Sequence, residues 1–316
     1  MPKERAENGK EMLPPFLKEG DMVSLVAPAG AIDEQYVDGA IRTLQSWGLR
    51  VKESEHVRGR NGRYSGTEEE RLKDLQQSMD DPETKAVLCV RGGYGLMKIV
   101  DGLNVENFEI RPKWIIGYSD VTVMHNLCGA ISIGSLHGIM AKHLSTLPAD
   151  AEAVRMLRDI LFGKLPEYRI PSHPLNRRGE VKGRLTGGNL TLLSSLRSTP
   201  YDLNIYDGNS ILFIEDVAEA SYRIDRMIEN LRLSGVLENL SGLIVGQFAD
   251  CEEDDGMGCS IYEGIAKAVE EYDYPVCFGF PAGHVENNLP LIMHANTELI
   301  VGEEEKGVKL NFNCKQ

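Results

Sequence analysis

A serine, a carboxylate and a histidine held at the ends of apolar strands can together transfer an acyl group, and this chain supplies all three. Gly117-Tyr118-Ser119-Asp120 follows the apolar run WII and precedes a helical stretch, VTVMHNLCGAI. A serine in that turn stands at the carboxyl edge of a sheet, beside the free N–H groups and the positive dipole end of the following helix. The place suits a nucleophile. It follows the G-x-S-x-G elbow in part, with Val121 where the second glycine would be, and taken alone an ordinary helix N-cap is the commoner reading of Ser119 or Asp120.

Of the seven histidines, His284 is best placed to act as a base, in the polar loop GHVENN directly after the strand-like PVCFGF. His137 in SLHGIM is its rival, whereas His125 and His143 fall in helical patterns. The orienting acid is Glu215 or Asp216, at the end of ILFIED, although a solvated strand end or a helix cap explains the same residues. Arg91-Gly92-Gly93-Tyr94-Gly95 closes another strand. Glycines there let backbone N–H groups approach a ligand, as an oxyanion hole or a phosphate loop requires, but a tight turn needs glycine too. The spacing fits neither a phosphate loop nor a dinucleotide fingerprint, so no nucleotide cofactor is expected.

A metal is not expected: H-E-x-x-H and paired C-x-x-C are absent, and DCEEDDGMGC at 250–259 fails the calcium-loop spacing and reads as a solvated loop. The formal net charge of −14 opposes nucleic acid as a partner. The opening MPKERAENGKEM has no apolar leader core, and no run reaches membrane-spanning length. Cys89, Cys128, Cys251, Cys259, Cys277 and Cys314 lie far apart, mostly in apolar runs, and are expected to be free buried thiols in a reducing cytoplasm.

What must position these groups is a set of short apolar strands alternating with amphipathic helices, the signature of an α/β fold with a parallel sheet covered on both faces. VSLVAPAG at 23–30 leads into a helical pattern from Tyr36 to Trp47 and a second strand near Leu49. Thr67 and Glu70 form a capping box ahead of Leu72, Leu75 and Met79, followed by AVLCVRGG and WIIGYSD. With 316 residues and 42% apolar content, two domains are within reach. The expected division is a tail at 1–19, a nucleophile-bearing domain at 20–150, a proline-bearing linker at 151–184, and a domain at 185–316 carrying acid and histidine. Its strands are read at 181–185, 211–216, 243–248 and 275–280, with a closing hairpin, ELIVGEEEKGVKLNF.

The blocks VAPAG, RGGYG, GYSDVT, LHG, LTGGNLTLL, IEDVAEASYRIDRMIENLRLSGVL and GHVENNLPL occur in that order. In them the chain, from about Gly20 to Phe312, resembles the LD-carboxypeptidases, or muramoyltetrapeptide carboxypeptidases, which include the microcin C immunity peptidases. The resemblance implies a Ser-Glu-His triad on Ser119, Glu215 and His284, with an oxyanion hole from backbone N–H groups of Gly92 or Gly93 and of Asp120. It also implies a flavodoxin-like amino-terminal domain, a smaller β-rich α/β carboxyl-terminal domain, a site in the cleft between them and a homodimer. The expected substrate is a murein-type tetrapeptide losing its terminal D-alanine during wall recycling, with no cofactor, no nucleic acid and no membrane.

Glu219 competes with Glu215 for the acid but is expected inside the following helix. The family usually carries a glycine near the positions of Ile292, Met293 and His294, so the loop beyond His284 is expected to be built differently. A microcin-type peptidase would need an aromatic platform for a nucleobase, and Trp47 and Trp114 both fall in core elements. A non-catalytic binding module is opposed by the joint presence of Ser119, Glu215 and His284.

Overall fold

The structure, a computed structural model, describes residues 12–203, 205 and 208–313. Residues 1–11 of the expected tail, and Cys314, lie outside the described residues. The chain divides into two compact units. One runs to Leu165 and takes in Glu286–Ile292; the other holds Pro166–Val285 and the stretch from Met293 onward.

In the first unit the strands are β1 (Met22–Val26), β2 (Arg50–Glu53), β3 (Thr84–Cys89), β4 (Trp114–Gly117) and β5 (Ser135–His137). The helices are α1 (Glu34–Ser46), α2 (Glu68–Asp80), α3 (Glu106–Ile110), α4 (Thr122–Ala130), α5 (Ala141–Thr146) and α6 (Glu152–Leu161). The strands pair in parallel in the order β2-β1-β3-β4-β5. Val23, Leu25, Val87, Leu88, Ile115 and Ile116 are buried whichever face they point to, because helices cover both sides of the sheet. The order reverses between β1 and β3, and their carboxyl ends carry VAPAG and RGGYG; loops at such a reversal point are where open α/β sheets bind ligands.

Helix α2 begins at the capping box expected from the sequence, with Thr67 accepting from the Glu70 N–H and Glu70 reaching back to the Thr67 N–H. Residues 12–19, expected as tail, are held in place. Trp114 Nε1 donates to the Pro15 carbonyl at 3.0 Å, and the Leu17 N–H donates to Leu161 at 2.7 Å.

The second unit is built on β6 (Glu167–Ile170), β7 (Gly179–Asn189), β8 (Ser210–Val217), β9 (Leu240–Ala249) and β10 (Val276–Phe278), then β12 (Asn296–Val301) and β13 (Val308–Phe312). β11 (Leu291–Met293), between the last two groups in sequence, joins the first sheet beside β5. The second sheet is mixed. β10-β9-β8-β7 are parallel, and β7-β12-β13-β6 antiparallel. Helices α7 (Leu190–Ser195), α8 (Ser221–Leu233) and α9 (Ile261–Ala268) bury Leu190, Leu193, Ile224, Ile228, Leu231 and Ile265 in one core with Leu212, Ile214, Leu243 and Val245 of the sheet. The stretch expected as a linker contains α6 and an edge strand, β6, because Glu167–Ile170 finds a partner in β13. The closing hairpin forms as read, β12 against β13.

Candidate active site

β4 ends at Gly117, and the backbone turns so sharply that Ser119 takes a φ of 64°. A left-handed residue other than glycine costs roughly 1–2 kcal/mol, and such residues cluster at functional sites. Tyr118 before it is extended, and a 3₁₀ turn over Ser119–Val121 leads directly into α4. The turn is braced from within by His125. Its Nε2 lies 2.9 Å from the Gly117 carbonyl and its Nδ1 2.8 Å from Ser135 Oγ. A carbonyl only accepts, so Nε2 carries the proton and Nδ1 accepts from the serine hydroxyl. Complete burial holds this imidazole neutral, its pKa pulled down to about 4.

Beside the serine lies the glycine pair. A Cβ on Gly92 would stand 2.9 Å from Ser119 Cβ and 3.1 Å from its Oγ, so only glycine fits. The Gly92 carbonyl accepts from the Gly30 N–H at 3.0 Å. Because a trans peptide points its C=O and N–H in opposite directions, that bond turns the Gly93 N–H away from Gly30. This amide has no hydrogen-bond acceptor among the described residues. Asp120, 1% exposed, serves structure with its side chain: Oδ2 accepts from the Leu96 N–H at 2.8 Å. Burial raises its pKa, opposed by hydrogen bonds from the Gly95 and Leu96 amides and by the charge of Arg71.

In the second unit, Glu215 lies within β8 at an irregularity: on the β9 side the register steps from Ile214↔Val245 to Asp216↔Phe248. One residue of β8, Glu215, thus faces two of β9, Gly246 and Gln247, so the extra residue of the bulge lies on β9, while Glu215 keeps regular register with Asn189 of β7. The Glu215 carboxylate is 0% exposed and its Oε2 lies 2.7 Å from Nδ1 of His284. The histidine loop is fixed by Gln247, whose Nε2 donates to the carbonyls of Gly279 (3.0 Å) and Phe280 (3.1 Å) while its N–H donates to Ala282 (3.0 Å). Gly283 has a φ of 128°, and a Cβ there would meet Glu215 Oε2 at 3.0 Å. Glycine therefore admits the acid to the histidine.

The rival acids have other occupations. Asp216 accepts from Asn189 Nδ2 and from the N–H and hydroxyl of Thr191, all at 2.9 Å, and so fixes the start of α7. Glu219 is not in a helix as expected. It sits in the turn before α8, 3.4 Å from Arg223. His137 is 0% exposed in β5, its ring 5.9 Å from that of Tyr118 and 6.1 Å from that of His125. Ile292 and Met293 lie in β11, and His294 takes a φ of 63° with its N–H donating to Leu185 at 2.6 Å. A histidine thus adopts the conformation a glycine would take at the place where the resemblance suggests one.

One group among the described residues brings metal-type donors together: Glu55, His56 and Asp74, within 4.8 Å of one another. Its members already satisfy each other and Lys73. Asp74 accepts from the His56 N–H (2.7 Å) and faces Nδ1 (3.0 Å), and Glu55 pairs with Lys73 at 2.7 Å. Cys89, Cys128 and Cys277 are free and buried as expected, but Cys259, in the acidic loop, is exposed. No described helix is long and apolar enough to cross a membrane.

Two residues of this region were invisible in the sequence pattern. Arg71, in the highly charged EEERLKDL, is 1% exposed and among the described residues its side chain donates only to backbone carbonyls, and Gln247 gave no signal beyond its place near a strand end.

Residues 23–138 match the LD-carboxypeptidase N-terminal domain, and residues 182–299 the LD-carboxypeptidase C-terminal domain. The first span holds Gly92, Gly93, Ser119 and Asp120; the second holds Glu215 and His284. A Bacillus subtilis protein described as a "probable murein peptide carboxypeptidase" is 31% identical over 92% of this chain and 92% of its own. The crystal structure of muramoyltetrapeptide carboxypeptidase from Oxalobacter formigenes superposes with a TM-score of 0.84 at 26% identity, covering 93% of this chain and 99% of that one. The microcin C7 self-immunity protein, in complex with aspartyl sulfamoyl adenosine, shares the fold with a TM-score of 0.85 at 19% identity over 96% of this chain and 99% of that one. With both domain profiles matched in order across most of its length, the chain belongs to the LD-carboxypeptidase family of peptidases.

Proposed function

We propose that the protein is a serine carboxypeptidase that cuts the bond between an L-configured centre and the terminal D-alanine of a murein-type tetrapeptide. In this reading His284 Nε2 takes the proton of Ser119, whose Oγ attacks the carbonyl carbon before the D-residue. The N–H groups of Gly93, or Gly92, and Asp120 stabilise the oxyanion, a donor of this kind being worth about 2.7–4 kcal/mol in a comparable protease. The imidazolium returns the proton to the leaving amine. Water then hydrolyses the acyl-enzyme by the same base, releasing the shortened peptide and Ser119.

The observation that carries the reading is the 2.7 Å bond between the fully buried Glu215 carboxylate and His284 Nδ1. It gives a histidine a fixed tautomer and a compensating charge, which a binding module has no use for. The names of the Bacillus subtilis and Oxalobacter formigenes relatives support murein peptides as the substrate class. Trp47 is 8% and Trp114 0% exposed, which leaves neither tryptophan to receive a nucleobase and disfavours a microcin-type substrate. The β2-β1-β3-β4-β5 order supports a flavodoxin-like first domain. A cytoplasmic place in wall recycling and a homodimer complete the proposal on the strength of the resemblance.

The test is a panel of tetrapeptides with diaminopimelate or lysine third and D-Ala or L-Ala fourth, with products read by mass. Release of D-Ala and poor cleavage of the L-Ala peptides is expected, because inverting the terminal centre spoils the near-attack geometry. Equal rates for both epimers would overturn the assignment.

A further inference from the structure

We propose that Arg71 is a positioning residue for the Gly92–Gly93 turn, acting through the backbone it holds and not by touching substrate. The inference rests on the catalytic reading of Ser119 and Gly93 given above.

Arg71 enters from the first turns of α2 and is 1% exposed, one of the largest fully buried side chains of the described residues. Among the described residues its guanidinium faces no carboxylate at hydrogen-bond distance. Nη1 donates to the Pro28 carbonyl at 2.8 Å and to the Gly95 carbonyl at 3.0 Å, Nε donates to Gly66 at 3.3 Å, and the group lies 4.9 Å from the centre of the Tyr64 ring. Burying a cation against neutral carbonyls is costly, and an apolar side chain would fill the space more cheaply. What the arginine adds is a tie between two loops: Pro28 belongs to the turn after β1, Gly95 to the turn after β3.

Those two turns also meet at Gly30 and Gly92, through the bond that sets the direction of the Gly93 N–H. Arg71 closes the other end of the same loop. The Gly95 carbonyl and the Leu96 N–H belong to one peptide unit, held by Arg71 on its oxygen and by Asp120 Oδ2 on its nitrogen. Two peptide planes are thus fixed, one on each side of Gly93-Tyr94. One anchor, Asp120, is the neighbour of Ser119. Gly95 has a φ of 144°, and a Cβ on it would stand 2.7 Å from Arg71 Nη1, so glycine is required where the guanidinium approaches. Without Arg71 the loop keeps its covalent path and its ties to Gly30 and Asp120 but loses one of its three clamps, the one on the Gly95 carbonyl. A hydrogen-bond donor that must meet a developing oxyanion is sensitive to such loosening.

Arg71→Lys, Arg71→Met and Ser119→Ala, each in the full chain, are to be compared with the parent for melting temperature and for kcat and KM on the D-Ala tetrapeptide. Ser119→Ala is expected to be inactive. The folded Arg71→Met protein is expected to lose about 10–100-fold in kcat with KM nearly unchanged, as for a misplaced oxyanion donor, with Arg71→Lys between it and the parent. A folded Arg71 variant with parental kcat, or a loss confined to KM, would overturn the proposal. So would failure of Arg71→Lys to fold, which would assign the guanidinium to folding alone. Turnover by Ser119→Ala instead removes the catalytic reading on which the proposal stands.

Discussion

Glu215 Oε2 and His284 Nδ1 stand 2.7 Å apart, with the carboxylate wholly out of water. An ionised carboxylate only accepts, so Nδ1 carries the proton and Nε2 is left as the base. Glu215→Gln offers an amide that can impose the wrong tautomer. We expect kcat to fall by about 10³–10⁴, by analogy with the acid of other triads, while circular dichroism stays that of the parent. Retention of more than a tenth of parental kcat would show that the pair is structural.

Ser119→Ala is expected to abolish hydrolysis with little loss of stability, since the truncation opens no core cavity and alanine is no better suited than serine to a φ of 64°. The double variant Ser119→Ala/His284→Ala should be hardly worse than Ser119→Ala, because groups acting as one unit are strongly non-additive. His137→Ala is the control. If it alone removes activity while His284→Ala does not, the base has been misassigned.

Gly92→Ala should remove most activity in a protein that still folds. The added methyl would meet Ser119 Cβ at 2.9 Å and Oγ at 3.1 Å, so the nucleophile must move to make room. Reaction with a serine-directed fluorophosphonate measures this directly. Labelling of Gly92→Ala at the parental rate would contradict the role given to that contact.

His294 holds a φ of 63°. Asparagine tolerates that region and a β-branched residue does not, so His294→Val should be less stable than His294→Asn by about 1–2 kcal/mol in urea unfolding. Equal midpoints would mean that the backbone there relaxes at no cost.

The neutral state of His125 makes stability depend on pH. Its pKa falls from 6.5 to about 4 on folding, so the unfolded chain binds more protons between those values. The contribution is complete above pH 6.5 and is lost as pH falls toward 4. Unfolding midpoints of the parent should therefore fall more steeply across that window than those of His125→Asn. Parallel curves would assign the acid sensitivity to other groups.

Several of these features are legible in the sequence because they depend on neighbours along the chain. The capping box at Thr67 and Glu70, the hairpin that closes the chain, and the strand-to-helix turn at Ser119 are all local. Features set by distant partners were not legible. Glu167–Ile170 reads as connector because its partner, β13, lies far along the chain. Arg71 reads as part of a solvated helix face because the carbonyls it binds belong to three other loops. Glu219 reads as helical because nothing in EDVAEASYR marks Ser221 as the first helical residue. The bulge of β9 opposite Glu215 appears only once the two strands are laid side by side.

The placement of β11 ties the order of synthesis to the order of folding. β5 acquires its outer neighbour from Leu291–Met293, so a ribosome must translate Pro166–Val285, the larger part of the second unit, before the first sheet has all its strands. Until then β5 presents an unpaired edge, the kind of surface that invites pairing with another nascent chain. Neighbouring chains on one polysome, each with β5 still uncovered, are expected to be the setting in which such pairing competes with correct folding.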